Sequence, residues 1–243
     1  KSPAIGFSEQ DWARSMERTW KTDEMIAKHA AILDRHDPKK QVGISFSEWG
    51  AWWATDRNRP SNLYQANTLR DAVIAGLTLN IFHNHADRVR MANLAQMVNV
   101  LQSLVLTDGA RMLLTPTYHV FDLYQAHQGA TLLPTRVSAP DYGLDAVKVP
   151  ALSVSASRNA AGGITLSLVN LDPAREARID VDVTGRPVKS ARGRVITATA
   201  MDARPDFGKP DPLAPVTLDG VRVRRGAVSL VAPAKSVVTI DIE

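Results

Sequence analysis

The sequence predicts an α/β unit followed by an antiparallel β-sandwich, and a change of periodicity carries that prediction. Up to about residue 134, segments with apolar residues three and four apart alternate with short strand-like runs. This helix, strand, helix, strand order is that of a parallel sheet. From about residue 135 the period falls to two, and short alternating runs are separated by turn-rich pieces, the pattern of a sandwich. No internal repeat or low-complexity tract links the halves, so residues 1–134 and 135–243 read as different modules.

Residues 8–36 form the first helix pattern, with Trp12, Met16 and Trp20, then Ile26, Ala30 and Leu33, on one face. Ser8 and Asp11 make a capping box with aspartate in the usual glutamate place, Phe7 and Trp12 make its hydrophobic staple, and Asp37-Pro38 ends the helix. In Val42-Gly43-Ile44-Ser45-Phe46-Ser47-Glu48 large apolar residues alternate with small ones over a strand's length, which predicts two packed faces. With Val42, Ile44 and Phe46 pointing inward in a parallel barrel, period two places Glu48 on the same face, one step above the packed core.

A second helix is predicted over roughly 62–83, a strand from Val89 to Ala95, and a helix opening at Thr115-Pro116 and stopped by Gly129. The sandwich strands are read at Leu152–Ala156, Ile164–Leu168, Ile179–Val183, Val195–Ala200, Ala227–Val231 and Val237–Ile242. Thr165 and Ser167, and Asp180 and Asp182, alternate with apolar positions and are expected on wet faces.

A chain of 243 residues that is 44% apolar can bury a large core. Arg70 and Asp71 precede the longest apolar stretch and Asp87 and Arg88 close it, short of the roughly 20 residues a membrane helix needs, so no membrane partner is expected. The absence of cysteine excludes disulfides, thiolate metal sites and cysteine nucleophiles but leaves the compartment open. The formal charge is +4, and the basic run Val221–Arg225 alternates like the solvated face of a strand without interleaved aromatics. No nucleic-acid partner is expected. Lys1–Gly6 lacks the apolar core of a signal peptide and leads directly into a helix, so the chain reads as starting in mid-fold.

The leading chemical candidate is Glu48, at a strand's end beside Trp49, Trp52 and Trp53. A lone glutamate there is ordinarily a surface charge. Flat aromatic rings, however, are common partners for the C–H faces of sugars, which points to glycoside hydrolysis. The bland alternative is that the tryptophans fill core, and it is the preferred reading for Trp53. Glycoside hydrolysis ordinarily needs a second carboxylate, and none stands in a matching context. His83-Asn84-His85-Ala86-Asp87 resembles a metal-binding run, but residues two apart on a helix do not share a face. It reads as helix termination, with the imidazoles at the negative end of the dipole. Gln96 and Asn99 follow the second strand, where amides either bind sugar hydroxyls or satisfy backbone. Neither a nucleophile elbow nor a phosphate-cradling loop occurs, which leaves serine hydrolase and nucleotide-binding readings little support, and no cofactor is expected.

The segments Ser47-Glu48-Trp49-Gly50-Ala51-Trp52, Leu69-Arg70-Asp71-Ala72, His85-Ala86-Asp87-Arg88-Val89, Ala92 to Val100 and Leu114 to Phe121 resemble, in order, motifs of glycoside hydrolase family 51, the α-L-arabinofuranosidases. Leu168 to Asp172 and Ala234 to Val238 resemble the family's C-terminal strands. The resemblance implies a (β/α)8 barrel with an appended β-sandwich, of which this chain is the C-terminal portion: the last two barrel strands and helices in 1–134, the sandwich in 135–243. It implies that Glu48 is the nucleophile on the seventh barrel strand and that Trp52 and Gln96 line the arabinofuranose pocket. The family's acid/base glutamate belongs to an Asn-Glu motif that has no counterpart before Glu48, so the general acid is expected from an N-terminal portion acting as partner. Ser47 stands where the family usually has aspartate, a change that removes a like charge beside Glu48. The expected substrate is an arabinofuranoside-containing saccharide such as arabinan or arabinoxylan, and a homo-oligomer is expected. A non-catalytic carbohydrate-binding or assembly module and an endoglucanase of the same family are the rival readings.

Overall fold

In the computed structural model, which describes residues 1–54, 63–185 and 187–243, helices pack on one face of an antiparallel sheet and a pair of parallel strands packs on the helices. Helix α1 (Glu9–His36) begins as its sequence dictates. The Ser8 hydroxyl accepts from Asp11 N–H at 3.1 Å, and the Asp11 carboxylate accepts from Ser8 N–H at 3.1 Å. Phe7 and Trp12 are both buried in one core, and Trp12 Nε1 donates to the Leu171 carbonyl at 2.9 Å, which fastens the helix to the C-terminal half. Asp37 caps the other end, ahead of Pro38. The far half of α1 is less covered than its periodicity predicts: Ile26 is buried, whereas Ala30 and Leu33 are half-buried and Ile32 is exposed.

Strand β1 (Ile44–Trp49) runs through helix α2 (Leu69–Asn84) to strand β2 (Val89–Leu94), and the two strands pair in parallel. The helix starts at Leu69, later than the predicted 62, a position outside the described residues. Thr68 sets that start, its amide donating to the Asp71 carboxylate at 2.7 Å. From Leu69 to Leu77 every residue of α2 is buried, which suits a stretch hydrophobic on nearly every side.

The predicted facing of β1 is corrected. Val42 lies outside the strand and is exposed, and Ile44 and Phe46 turn toward the helices, with the Phe46 ring 4.7 Å from that of Phe82 on α2. Trp49 continues this face, edge-on to Phe82 at 5.7 Å. Phe46 pairs with Ala92 and Trp49 with Leu94, so β1 carries one more residue than β2 over this span. A bulge of this kind breaks period two and takes Glu48 off the packed face. Nor are both faces packed: Ser45, Ser47, Met91 and Asn93 lie exposed on the other side.

A hairpin of β3 (Val105–Asp108) and β4 (Arg111–Leu114) leads to α3 (Pro116–Tyr124), capped by Thr115 and extended by one 3-10 turn, Gln125–His127. Then come β5 (Thr131–Leu133), the hairpin β6 (Asp141–Leu144) and β7 (Val147–Pro150), β8 (Leu152–Arg158), β9 (Ile164–Asn170), β10 (Ala177–Val181), β11 (Ala191–Ile196), β12 (Val216–Thr217), β13 (Arg222–Arg224), β14 (Ala227–Ala232) and β15 (Ser236–Ile242). One sheet has the order β12-β11-β15-β9-β8-β5 and a second the order β10-β14-β13. Leu166, Leu168, Val238 and Ile240 of the first share a core with Val228 and Leu230 of the second. Two expected strands end early because their partners set their length: β10 pairs from Ala177 with Ala232 to Val181 with Val228, and β11 from Ala191 with Ile242 to Ile196 with Val237.

The expectation that Thr165 and Ser167 face water is also corrected. Both are buried, because the helices cover that side of β9. Asp180 is exposed, and so are Arg222 and Arg224 of the basic run.

Helix α2 reaches the sheet at Gly76, where an added Cβ would lie 2.9 Å from Val169 Cγ2 and 3.2 Å from Val237. On an open helix surface Gly→Ala stabilises by about 1 kcal/mol. Here Gly76→Ala is expected to destabilise by about 1–3 kcal/mol through overpacking. A lower urea midpoint at unchanged slope would show it, and a raised midpoint would contradict the close approach.

Candidate active site

The bulge presents Glu48 at the mouth of a cleft of about 640 Å³ along β1, on the side facing α1. Glu48 is exposed, and its carboxylate makes no hydrogen bond or ion pair with another described residue. Trp52 lines the same cleft and is 51% exposed. The Lys1 ammonium lies 3.4 Å above its ring. Among the described residues that line the cleft, the other carboxylate is Asp11, and it is committed to the α1 cap through Ser8.

After Trp49 the chain turns at Gly50, whose φ of +135° is a conformation side chains rarely adopt. Residues 51–53 lack regular structure, and buried side chains satisfy their backbone instead. Ala51 N–H donates to Gln102 Oε1 at 2.7 Å, and the Ala51 carbonyl accepts from Gln65 Nε2 at 3.1 Å. Trp53 N–H donates to Gln65 Oε1 at 2.9 Å, and Gln102 Nε2 donates to the Asp71 carbonyl at 2.9 Å and to Thr117 Oγ1 at 3.1 Å.

Trp53 is core, as preferred from sequence. Its Nε1 donates to the Asp71 carboxylate at 2.8 Å, and its ring lies 3.6 Å from the Arg70 guanidinium carbon. The Phe7 ring covers the other side of Arg70, also at 3.6 Å, a double cation–π contact. Arg70 donates to Ser2 Oγ at 2.9 Å and to the Pro3 carbonyl at 2.7 Å. Burial lowers Arg70 to about 10, still charged at neutral pH, with Asp71 opposing the shift. Burial pushes the Asp71 carboxyl above the usual carboxylate range, against the Thr68 amide, Arg70 and the Trp53 N–H. Trp49 is core as well, stacked on Phe121 at 6.0 Å.

The structure thus brings Glu48 and Trp52 to one cleft and places Gln96 elsewhere. Gln96 follows β2, exposed, its N–H donating to the Val100 carbonyl at 3.1 Å, and it does not line the cleft. Asn99 serves structure, bonding Thr107 through both ends of its amide at 2.7 Å. At the end of α2 the two histidines part: His85 meets Asp23 of α1 at 2.7 Å, while His83 meets Ser155 of β8 at 3.2 Å. The roles of Gln65 and Gln102 carried no sequence signal, since a lone glutamine is legible only once its partners are known. Asp71 did carry one, three residues after Thr68 in a capping spacing.

A family model described as the α-L-arabinofuranosidase C-terminal domain matches residues 47–236. An intracellular exo-α-L-arabinofuranosidase of Bacteroides ovatus is 37% identical over 245 residues, covering all of this chain and 48% of that protein. An intracellular exo-α-(1→5)-L-arabinofuranosidase of Streptomyces lividans is 27% identical over 221 residues, 85% of this chain and 33% of its own. Among solved structures, the family 51 arabinofuranosidase of Xanthomonas axonopodis pv. citri superposes with a TM-score of 0.97 at 42% identity, over 100% of this chain and 50% of its own. An arabinofuranosidase of Thermotoga maritima in complex with arabinose shares the fold, with a TM-score of 0.79 at 22% identity, over 96% of this chain and 50% of its own. The chain spans half or less of the length of these relatives.

Proposed function

Because this chain belongs to the α-L-arabinofuranosidases of glycoside hydrolase family 51, we propose that it is the nucleophile-bearing C-terminal portion of a retaining enzyme that removes α-L-arabinofuranosyl residues from arabinan- or arabinoxylan-type saccharides. The observation that carries the proposal is Glu48 standing exposed, bonded to no other described residue, in a cleft beside an exposed tryptophan. Glu48 attacks the anomeric carbon as a general acid protonates the departing oxygen, and water then resolves the glycosyl-enzyme with the same group acting as base.

That acid/base belongs to the N-terminal portion, because Asp11 is held in a helix cap and no other described cleft residue is a carboxylate. In this reading residues 1–134 supply the last two strands and helices of a (β/α)8 barrel. The exposed face with Ser45, Ser47, Met91 and Asn93 looks into the barrel. Residues 135–243 form the appended β-sandwich, with β5 crossing the seam to pair with β8. Gln96 stands outside the cleft that Glu48 and Trp52 line, and in this reading it meets the sugar beyond the end of β2 only in the assembled barrel; assembly into a homo-oligomer belongs to the same proposal.

The two-sheet unit has its own apolar core while β1 pairs only with β2 among the described residues, which favours a second reading: a carbohydrate-binding or assembly module inactive by itself. Assays of residues 1–243 with and without the N-terminal portion separate the two. Turnover of an aryl α-L-arabinofuranoside is expected only when both portions are present. Inactivity of the reassembled protein on arabinosides, with retained saccharide binding, would select the module, and preference for glucans would select an endoglucanase.

A further inference from the structure

The turn that carries Trp52 has no regular structure of its own, yet the backbone of its flanking residues is held by three hydrogen bonds to two amides that are 0% and 1% exposed, Gln102 and Gln65. Gln102 reaches three separate elements. It accepts from Ala51 of the turn and donates to the Asp71 carbonyl in the first turn of α2 and to Thr117 in the first turn of α3. Gln65 closes the other side, spanning Ala51 and Trp53. Trp52 lies between these two gripped residues, and its exposed ring lines the cleft with Glu48.

A buried amide with its donor and acceptor both satisfied holds its partners to a narrow geometry, since slipping any one of them strands a polar group away from water. We infer that Gln102 and Gln65 are positioning residues, which act through the backbone of Ala51 and Trp53 to fix the Trp52 ring against the sugar, relative to Glu48. The inference rests on the proposed place of Trp52 in the arabinofuranose pocket. It makes α2 and α3 the reference frame for the aromatic wall, and it explains why so exposed a ring needs so buried a support. Misplacement of a substrate-positioning group by about 1 Å costs up to a hundred-fold in rate.

The test is a double-variant cycle in the complete enzyme: Gln102→Ala, Trp52→Ala and both together, assayed with an aryl α-L-arabinofuranoside well below the unfolding midpoint. Each single variant is expected to lower kcat/KM between about ten- and a hundred-fold, and the double variant to be no worse than Trp52→Ala alone. Losses that multiply would show that Gln102 acts on something other than Trp52 and overturn the inference. So would wild-type kinetics for Gln102→Ala beside an impaired Trp52→Ala. Wild-type kinetics for Trp52→Ala would instead overturn the place of Trp52 in the pocket, and the inference with it. Gln65→Ala, which releases the same turn from the other side, enters the same cycle with the same outcomes if Gln102→Ala does not fold.

Discussion

Glu48→Gln in the complete enzyme is expected to lower kcat on arabinofuranosides on the order of 10⁴-fold or more, because an amide cannot form the glycosyl ester. Stability should stay within about 0.5 kcal/mol, since the side chain is exposed and bonds no other described residue. That pairing of outcomes separates chemistry from folding. Glu48→Gly adds a second readout. A small anion such as azide can enter the vacated space and attack the anomeric carbon from the nucleophile's side, with release of an activated aryl leaving group. The product is then an arabinofuranosyl azide of inverted configuration. Restored turnover without inversion would place the nucleophile elsewhere.

The second large effect is on stability and follows from the two histidines half-buried between helices and sheet. The rings of His83 and His127 lie 4.6 Å apart. His127 is 2.7 Å from Ser157 Oγ and 2.6 Å from Ser167 Oγ, His83 is 3.2 Å from Ser155 Oγ, and Asn80 links Ser155 to the Tyr124 hydroxyl. Burial lowers His83 to about 3, with the neighbouring His127 adding to the effect, and lowers His127 to about 4 against the opposing charge of Asp241. Both folded-state values lie below the roughly 6.5 of an unfolded chain, so the unfolded state takes up protons first as the pH falls. The stabilising contribution is therefore complete above about pH 6.5 and drains away toward pH 4 and below. A loss of about 2 kcal/mol or more between pH 7 and pH 5 is expected from urea midpoints. The carboxylates held low, Asp11, Asp37, Asp87, Asp206 and Asp211, matter only from the ordinary carboxylate range downward, and the raised Asp71 carboxyl acts in the opposite sense, gaining stability as it protonates, so a loss in this window reports the imidazoles. Replacing both histidines by glutamine should flatten it, and a profile already flat in the natural sequence would contradict a neutral, half-buried pair.

Those histidines show where sequence reading stops. The place of His83 at a helix end was legible, because α2 does end at Asn84. Their partners were not, because Ser155, Ser157 and Ser167 look like wet-face residues until a helix is laid over them. The same limit applies to β1. Alternation over Ile44, Phe46 and Glu48 gave the strand but put Glu48 on the wrong face, since a one-residue bulge after Phe46 leaves no mark in composition and reverses the side chains beyond it. The α1 start, by contrast, was readable in full, because its capping box and staple are local. Of the candidate site, Glu48 and Trp52 were legible as a carboxylate and an aromatic at a strand's end. The amides that hold the turn lie 14 and 51 residues from Ala51, and only the fold brings them there.

The most direct measurement is covalent trapping of the complete enzyme with an arabinofuranosyl reagent that forms a stable glycosyl ester, either a 2-fluoro sugar with a good leaving group or a cyclitol epoxide, followed by peptide mass spectrometry. The account predicts stoichiometric inactivation with the label on Glu48. Label on any other carboxylate would contradict it.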